Sequence, residues 1–483
     1  MQTQCSTESV EFQPLGKRKI VARFDGGAIT SDGGALLLRE CEAATGIIAQ
    51  FAGCFVDHRD AALIEHSVEQ LVAQRTYALA LGYEDLNDHD TLRHDPLLAT
   101  LVGKHDPTGQ TRKRASDRGK PLAGKSTLNR LELTTQGVAD DERYKKIEVD
   151  AAAVEKLFVE LFLQAHAVPP DEGRCSATAK RRARAAIVLD LDATDDPIHG
   201  RQEGRFFHGY YDAYCYLPLY IFCGEHLLCA KLRPSNIDAS QGTLDELERI
   251  VAQIRARWPA VRIVVRGDSG FCREPIMRWC EQNRVDYVLG LARNSRLVGL
   301  VEEALAQAKA FYDQSGEPAR LFTEFAYRTL ESWSRARRVV AKAEHLERGA
   351  NPRFVVTTLG DEARALYEDT YCARGEMENR IKEQQLHLFA DRTSAATMRA
   401  NQLRLWFSSV AYTLMQALRR LALAGTELAH AQCETIRRKL LKIGARIKVS
   451  VRKIWVSLSE SCPVAELFIR VYENLRRLVV QRC

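Results

Sequence analysis

The chain has 483 residues, 46% hydrophobic and 27% charged, with a formal net charge of +6; that length exceeds what one hydrophobic core serves and predicts about two or three domains. No run approaches the roughly eighteen apolar residues of a membrane span, and Met1 to Pro14 lacks the apolar core of a secretion signal, so we expect a cytoplasmic protein with no membrane contact. Thirteen cysteines without a C-x-x-C pair argue against a disulfide framework and against a zinc site.

In chain order, Lys19 to Phe24 reads as a short strand ending in Asp25-Gly26-Gly27. Ser31-Asp32-Gly33-Gly34 repeats that turn chemistry before a helix from about Ala35. Helix-like spacing, as in Leu63, Val68, Leu71 and Val72, runs on to about Ala165 and is broken by the polar stretch Glu84 to Asp95. Residues 1–170 are therefore expected to form a helical N-terminal domain; DNA binding is the role expected of it, on the strength of its basic loop and not of the helical spacing. Inside it Gly119, Gly124, Lys125 and Ser126 satisfy the phosphate-loop pattern G-x-x-x-x-G-K-[ST]. The context fails, because the polar stretch His105 to Arg118 cannot be the buried strand such a loop leaves. Arg112, Lys113, Arg114, Arg118, Lys120 and Lys125 form a basic loop that is either a phosphate contact for nucleic acid or a solvated charge run.

After Pro169-Pro170 comes a basic linker with Lys180, Arg181, Arg182 and Arg184, and then a change of pattern. Strand Ile187 to Asp192 is followed by strand-like runs Tyr214 to Cys223 and Leu227 to Leu232. An amphipathic helix through Leu244, Leu247, Ile250, Val251 and Ile254 leads to the strand Val261 to Val265. A helix through Ile276 and Trp279 then leads to the strand Tyr287 to Leu291. Three strands, helix, strand, helix, strand is the ribonuclease-H-like order, expected over 186–292.

Alternation along the first strand puts Val188, Asp190 and Asp192 on one face. Asp268 stands in Gly267-Asp268-Ser269-Gly270 at the carboxyl end of the fourth strand, where α/β sheets place their ligands. In this topology the first and fourth strands are neighbours, so Asp192 and Asp268 converge, and paired carboxylates suit a hard cation such as Mg²⁺. The bland reading makes both acids turn residues. Asp190, one step deeper, is expected to support the site rather than bind metal.

A third acid is expected from a helix across the sheet. Tyr371, Arg374, Glu378, Lys382 and Gln385 recur at steps of three or four and share a face, whereas Glu376 and Glu383 point away. Glu378 is thus the choice, with Tyr371, Arg374 and Lys382 beside it to hold its charge or touch phosphate. An exposed salt-bridged helix would show the same spacing.

Between the second and third acids, Leu321 to Thr329, Arg335 to Glu344 and Phe354 to Thr358 read as strands of a β-rich insertion over 293–370. The catalytic helix and the end of the core occupy 371–425. The stretch Arg437 to Lys453 holds eight cations and no acid. Arg446, Lys448, Ser450 and Arg452 alternate there with Ile447, Val449 and Val451, as a strand with one positive face would. Lys442, Arg446, Lys448 and Arg452 in a basic C-terminal region, 426–483, are the expected DNA-backbone contacts; an edge strand guarded by its charges is the alternative.

Asp192-Ala193-Thr194, Arg266-Gly267-Asp268-Ser269-Gly270-Phe271 and Tyr371-x-x-Arg374-x-x-x-Glu378 resemble the catalytic motifs of DDE insertion-sequence transposases. The match is best with the insertion-sequence family numbered thirteen-eighty. Its other hallmarks are Asp25-Gly26-Gly27, Thr194-Asp195-Asp196-Pro197 followed by His199-Gly200, His208-Gly209-Tyr210-Tyr211, and Glu378-Asn379-Arg380-Ile381-Lys382-Glu383. Related transposases carry a lysine seven residues past the glutamate; here that position is Gln385, and Lys382 is its expected substitute.

The resemblance covers nearly the whole chain. It implies an α/β fold, a ribonuclease-H-like catalytic core with a β insertion, and Mg²⁺, with Mn²⁺ as substitute, held by Asp192, Asp268 and Glu378. It implies cleavage and strand transfer at terminal inverted repeats, double-stranded target DNA as a second partner, a homodimer in the synaptic complex, and a place on the bacterial nucleoid. The insertion is similar to that of hairpin-forming transposases, where an aromatic stacks on an extruded base. Trp333 is the candidate, against the plainer reading of a core tryptophan. The alternatives are a DNA-binding protein that has lost strand transfer and a nuclease that only hydrolyses.

Overall fold

The computed structural model describes residues 9–133, 137, 142–170 and 186–480. The basic linker around Lys180 to Arg184 lies outside the described residues. The chain divides into two compact units that do not follow chain order: Val149–Ser409 is one, and Met1–Glu148 with Val410–Cys483 is the other.

The unit Val149–Ser409 is built on a large mixed sheet. Its eight longer strands are β1 (Ala186–Ala193), β2 (Leu219–Cys223), β3 (His226–Lys231), β4 (Arg262–Gly267), β5 (Asp286–Leu291), β6 (Ala319–Tyr327), β7 (Arg337–Leu346), with which the short Gly349–Ala350 pairs, and β8 (Arg353–Thr357). They lie in the order β3-β2-β1-β4-β5-β8-β7-β6. β2 is antiparallel to β1 and to β3, β4 is parallel to β1, and β5 is parallel to β4. The first five strands thus have the ribonuclease-H-like order and directions. β8, β7 and β6 continue the same sheet past β5, all antiparallel. The strands expected of an insertion therefore extend the core sheet.

Alternation along β1 explains the layering. Ile187, Leu189 and Leu191 are fully buried in a core shared with Leu247, Ile250 and Ile254 of α1 (Thr243–Arg257) and with Ile276, Met277 and Cys280 of α2 (Glu274–Gln282). Val188 points the other way, into a cluster with Val264, Val288, Val355, Leu366 and Tyr367. Each such side chain contributes about 1.5–3 kcal/mol by leaving water, so a one-residue slip of β1, which would exchange its two faces, is strongly disfavoured. The face of Asp190 and Asp192 is fixed by these neighbours.

Tyr214 to Cys223 is not one strand. Pro218 has no N–H to give a ladder, and the chain changes sheets there. Ala213–Tyr216 joins Asp196–Pro197 and Phe206–His208 in a small separate sheet, while Leu219–Cys223 stays in the large one.

In the other unit the expected strand at Lys19 is one arm of an exposed hairpin, Val10–Leu15 with Arg18–Ala22. Helix Val68–Ala80 starts with a complete capping box between Ser67 and Gln70. Ala445–Val449 pairs with Ile454–Leu458 and with Ala28–Thr30. Glycine is required at Gly34, because a Cβ there would stand 2.0 Å from the Leu440 carbonyl oxygen. No helix among the described residues is long and apolar enough to cross a membrane.

Candidate active site

Pairing between β1 and β4 runs from Ala186 opposite Arg262 to Leu191 opposite Gly267. Asp192 follows Leu191 within β1 and Asp268 follows Gly267 just past the end of β4, so the register brings the two acids side by side. Asp268 turns the chain out of the sheet: one of its carboxylate oxygens accepts from the Gly270 amide at 2.8 Å. The turn role and the site role are thus compatible in one residue.

The third acid arrives on an irregular helix. The chain makes a wide π-type turn over Leu366–Tyr371 and a tight 3₁₀ turn over Cys372–Arg374, and then runs as the α-helix α3 (Gly375–Leu388). Constant α-helical spacing from Tyr371 does not hold, but the step from Arg374 to Glu378 does. The Arg374 guanidinium donates to Glu378 at 2.8 Å and to Asp192 at 2.5 Å, tying β1 to α3. Burial raises the pKa of Asp192 to about 6; Arg374 opposes the rise, and the charges of Asp268 and Glu378 add to it. Three carboxylates from three elements are therefore in electrostatic contact.

Asp190 is buried and fully engaged. It accepts two bonds from Arg266, at 2.5 and 2.7 Å, and Arg266 also donates to the Thr370 carbonyl at 2.5 Å. This clamp fastens β1, β4 and the approach to α3 together. Arg266 was legible as part of a motif, but what it does depends on strand register. Tyr371 packs where β5 carries Gly290: a Cβ at Gly290 would lie 2.6 Å from the Tyr371 hydroxyl and 2.9 Å from the Ser269 amide. Burial also raises the Tyr371 pKa, with Arg374 opposing and Asp268 adding to it. Nothing in local sequence marks Gly290 as part of the site.

Lys382 is exposed on α3. Gln385 donates to the Asp195 carbonyl at 3.2 Å and so ties α3 to the loop after Asp192. Glu376 is exposed and close enough to raise the Asp190 pKa, while Glu383 is buried against Arg380. Asp196 is buried, and burial pushes its pKa to about 8, with the nearby Thr393 hydroxyl opposing the rise.

Trp333 does not face solvent. It is 3% exposed, edge-on to Tyr327 at 5.7 Å and beneath the Arg337 guanidinium at 5.4 Å, so as placed it cannot stack on a base. In the C-terminal cluster, Arg446 and Lys448 are exposed on the strand Ala445–Val449, and Arg452 is exposed in the turn that follows. The strand ends at Val449, and Val451 is in solvent, so the alternation does not continue. Lys442 is engaged elsewhere: it pairs with buried Asp32 at 2.6 Å and lies over the Tyr83 ring. Arg437 is likewise buried, donating to the Ala80 carbonyl. In the phosphate-loop look-alike, the Lys125 ammonium bonds Asn87 and Asp90, and the loop is preceded by a 3₁₀ turn instead of a strand.

The family described as transposase DDE domain group 1 matches residues 12–480. The chain belongs to that family. No curated protein matches the sequence. Among solved structures, a piggyBac transposase synaptic complex with hairpin DNA is similar at 11% identity and a TM-score of 0.41, over 85% of this chain and 80% of that one.

Transposases of the DDE group generally use divalent metal ions. Among the described residues no three carboxylate, imidazole or thiolate groups lie arranged as a metal centre, and the cation between Asp192 and Glu378 is the Arg374 guanidinium. The donor chemistry suits a hard cation all the same: oxygen ligands only, with Asp192 under the charge of two neighbouring acids. A positive group already occupies the place such charge favours.

Proposed function

We propose that this transposase binds the terminal inverted repeats of an insertion sequence and catalyses cut-and-paste transposition, with Asp192, Asp268 and Glu378 as the residues that would hold Mg²⁺ or, in its place, Mn²⁺. The observation that carries this reading is the convergence of three acids from β1, the end of β4 and α3 on one charge cluster. When bound, the metal would activate the attacking water or 3′-hydroxyl and stabilise the leaving oxygen.

The chain's own residues do the rest. The Asp190–Arg266 clamp holds β1 and β4 in register, so the two aspartates keep their spacing. Arg374 keeps Asp192 and Glu378 together without metal and is placed to meet a phosphate when it releases them. Lys382 is an exposed cation on the same helix that would touch the DNA backbone. Arg446, Lys448 and Arg452 would contact double-stranded DNA without reading its sequence. One such site reaches one scissile phosphate at a time, and an element has two ends, so a homodimer is expected in the synaptic complex.

The test is incubation of the purified protein with the DNA flanking its own gene, Mg²⁺ and a target plasmid. Joined products carry the proposal; cut ends that are never joined would make the chain a nuclease, and binding without cutting would make it a DNA-binding derivative.

A further inference from the structure

The hairpin Val10–Leu15 with Arg18–Ala22 belongs to no core. A two-residue turn, Gly16-Lys17, joins its strands, with Gly16 in the left-handed region at φ 63°, as the first position of a tight hairpin turn favours. Every residue from Ser9 to Ile29 is exposed, so the hairpin buries no face against the rest of its unit. A two-stranded ribbon without a packed face is marginal in water, and this one leaves Phe12 55% and Ile20 44% exposed.

The register sorts its side chains. Directly opposed residues of an antiparallel pair share a face, and Val10 opposes Ala22 while Phe12 opposes Ile20. Alternation adds Arg18 to that face, one step nearer the tip. It places Lys19 and Val21 on the other face with Glu11, which pairs with Lys19 at 3.0 Å. One face is thus apolar with an arginine at its tip end. Between Val10 and Phe24, Lys17, Arg18, Lys19 and Arg23 stand against the single acid Glu11, so two copies meeting ribbon to ribbon would bring like charges together. Pro14, at the register shift between Phe12 and Leu15, has no N–H to offer a further strand. A polyanion suits the ribbon better than a second copy of it.

The base of the hairpin points to the same partner. Asp25-Gly26-Gly27 carries the chain from the ribbon into Ala28–Thr30, which pairs with Ala445–Val449, the strand of Arg446 and Lys448. Gly27 is left-handed at φ 78°, and a Cβ there would stand 3.6 Å from the Arg446 Nε. The ribbon therefore springs from beside cations proposed to meet the DNA backbone. A two-stranded ribbon fits the major groove, about 12 Å wide, whereas the minor groove, about 6 Å wide, would have to be opened to take it. We infer that the hairpin Val10–Ala22 is an arm that lies in the major groove of duplex DNA, with Arg18, Ile20 and Phe12 toward the base edges. Arginine there meets guanine O6 and N7, and apolar side chains meet thymine methyl groups. The inference rests on the proposed transposase reading, because it takes the element's end DNA as the occupant. The Asp25-Gly26-Gly27 motif thereby acquires a function as the turn that joins the arm to the basic sheet.

The test is a dimethyl sulfate footprint of the full chain on duplex DNA from the end of its own element, without divalent metal. The reagent methylates guanine N7 in the major groove and adenine N3 in the minor groove, so one experiment reads both. Wild type should protect a short run of guanines. Arg18→Ala, and separately Phe12→Thr with Ile20→Thr, should lose that protection while the rest of the footprint stays. Arg18→Ala should also weaken binding by about five- to a hundredfold, the range for one bidentate guanine contact, whereas Val21→Thr on the other face should change neither. Each variant should unfold at the wild-type urea concentration, since the hairpin buries no face. Footprints and affinities unchanged in the Arg18 and Phe12–Ile20 variants would overturn the arm. A drop in solution mass of the Phe12–Ile20 variant beside that result would assign the face to contact between copies of the chain. Loss of adenine N3 protection in place of guanine N7 would overturn it too, by putting the hairpin in the minor groove. No protection of the end DNA by wild type would sink the transposase reading and the arm with it.

Discussion

The substitution Asp192→Asn should stabilise the metal-free protein while abolishing its chemistry. Asp192 is almost fully buried, and its pKa is raised from 3.8 to about 6 by that burial, against the pull of Arg374 and with the push of Asp268 and Glu378. A raised carboxylate pKa means that the folded state holds the proton more tightly than the unfolded state, so the charged form costs stability. Below about pH 4 both states are protonated and the cost is absent; it grows as pH rises through the window from about 4 to 6 and is complete above it. The full cost is about 3 kcal/mol, at about 1.4 kcal/mol per pH unit of displacement.

Asparagine keeps the shape of the protonated acid, and Arg374 stays paired with Glu378 at 2.8 Å, so no orphan cation results. Urea unfolding in chelator, followed by tryptophan fluorescence, is the assay. Trp258, Trp279, Trp333 and Trp406 lie in Val149–Ser409, and only Trp455 lies elsewhere, so the signal reports mainly on the unit that holds Asp192. The variant should come close to wild type at about pH 3.5 and exceed it by about 2–3 kcal/mol at pH 7.5. Mg²⁺ should then stabilise wild type and not the variant. A gap that does not change with pH, or an asparagine variant less stable at pH 7.5, would refute the reasoning.

Asp268→Asn and Glu378→Gln should each abolish cutting with DNA binding retained, and Glu376→Gln should be mild; an inactive Glu376→Gln beside an active Glu378→Gln in a plasmid-cleavage assay would show that the wrong acid was chosen. Gly290→Ala should lower the cleavage rate by about ten- to a hundredfold with little loss of DNA affinity, because the new Cβ displaces the Tyr371 hydroxyl and the turn after Asp268; unchanged single-turnover rates would contradict this. Replacing Arg446, Lys448 and Arg452 with glutamine should flatten the salt dependence of DNA binding, by about 0.9 in log–log slope for each phosphate no longer neutralised. Lys442→Gln should behave differently, costing about 1–3 kcal/mol in unfolding experiments because buried Asp32 loses its cation. Mass measurements with and without paired end sequences should show two protomers assembling on DNA; one protomer joining both ends would refute the dimer.

The sequence by itself determined the strand order of the core, because the alternation of Ile187, Leu189 and Leu191 and the helical period of Leu247, Ile250 and Ile254 are local patterns that burial must satisfy. It also singled out candidates for the site: Asp192 and Asp268 by their place at the ends of apolar strands, and Glu378 by the helix face it shares with Arg374. Tertiary structure decided what depends on register and on partners distant in the chain. Asp190 meets Arg266 because β1 and β4 pair in one register, and Gly290 admits the Tyr371 hydroxyl because β5 runs beside the Asp268 turn. Whether a cation is free was equally undecidable from composition: Lys442 and Lys448 belong to the same basic run, yet one is drawn to Asp32 and the other is left in solvent. The same holds for aromatic rings, where Trp333 is covered by Tyr327 and Arg337 while Phe12 stands in solvent on the hairpin. Periodicity reports which face of an element is apolar; only the fold supplies the neighbours that decide which charges and rings remain available to a ligand.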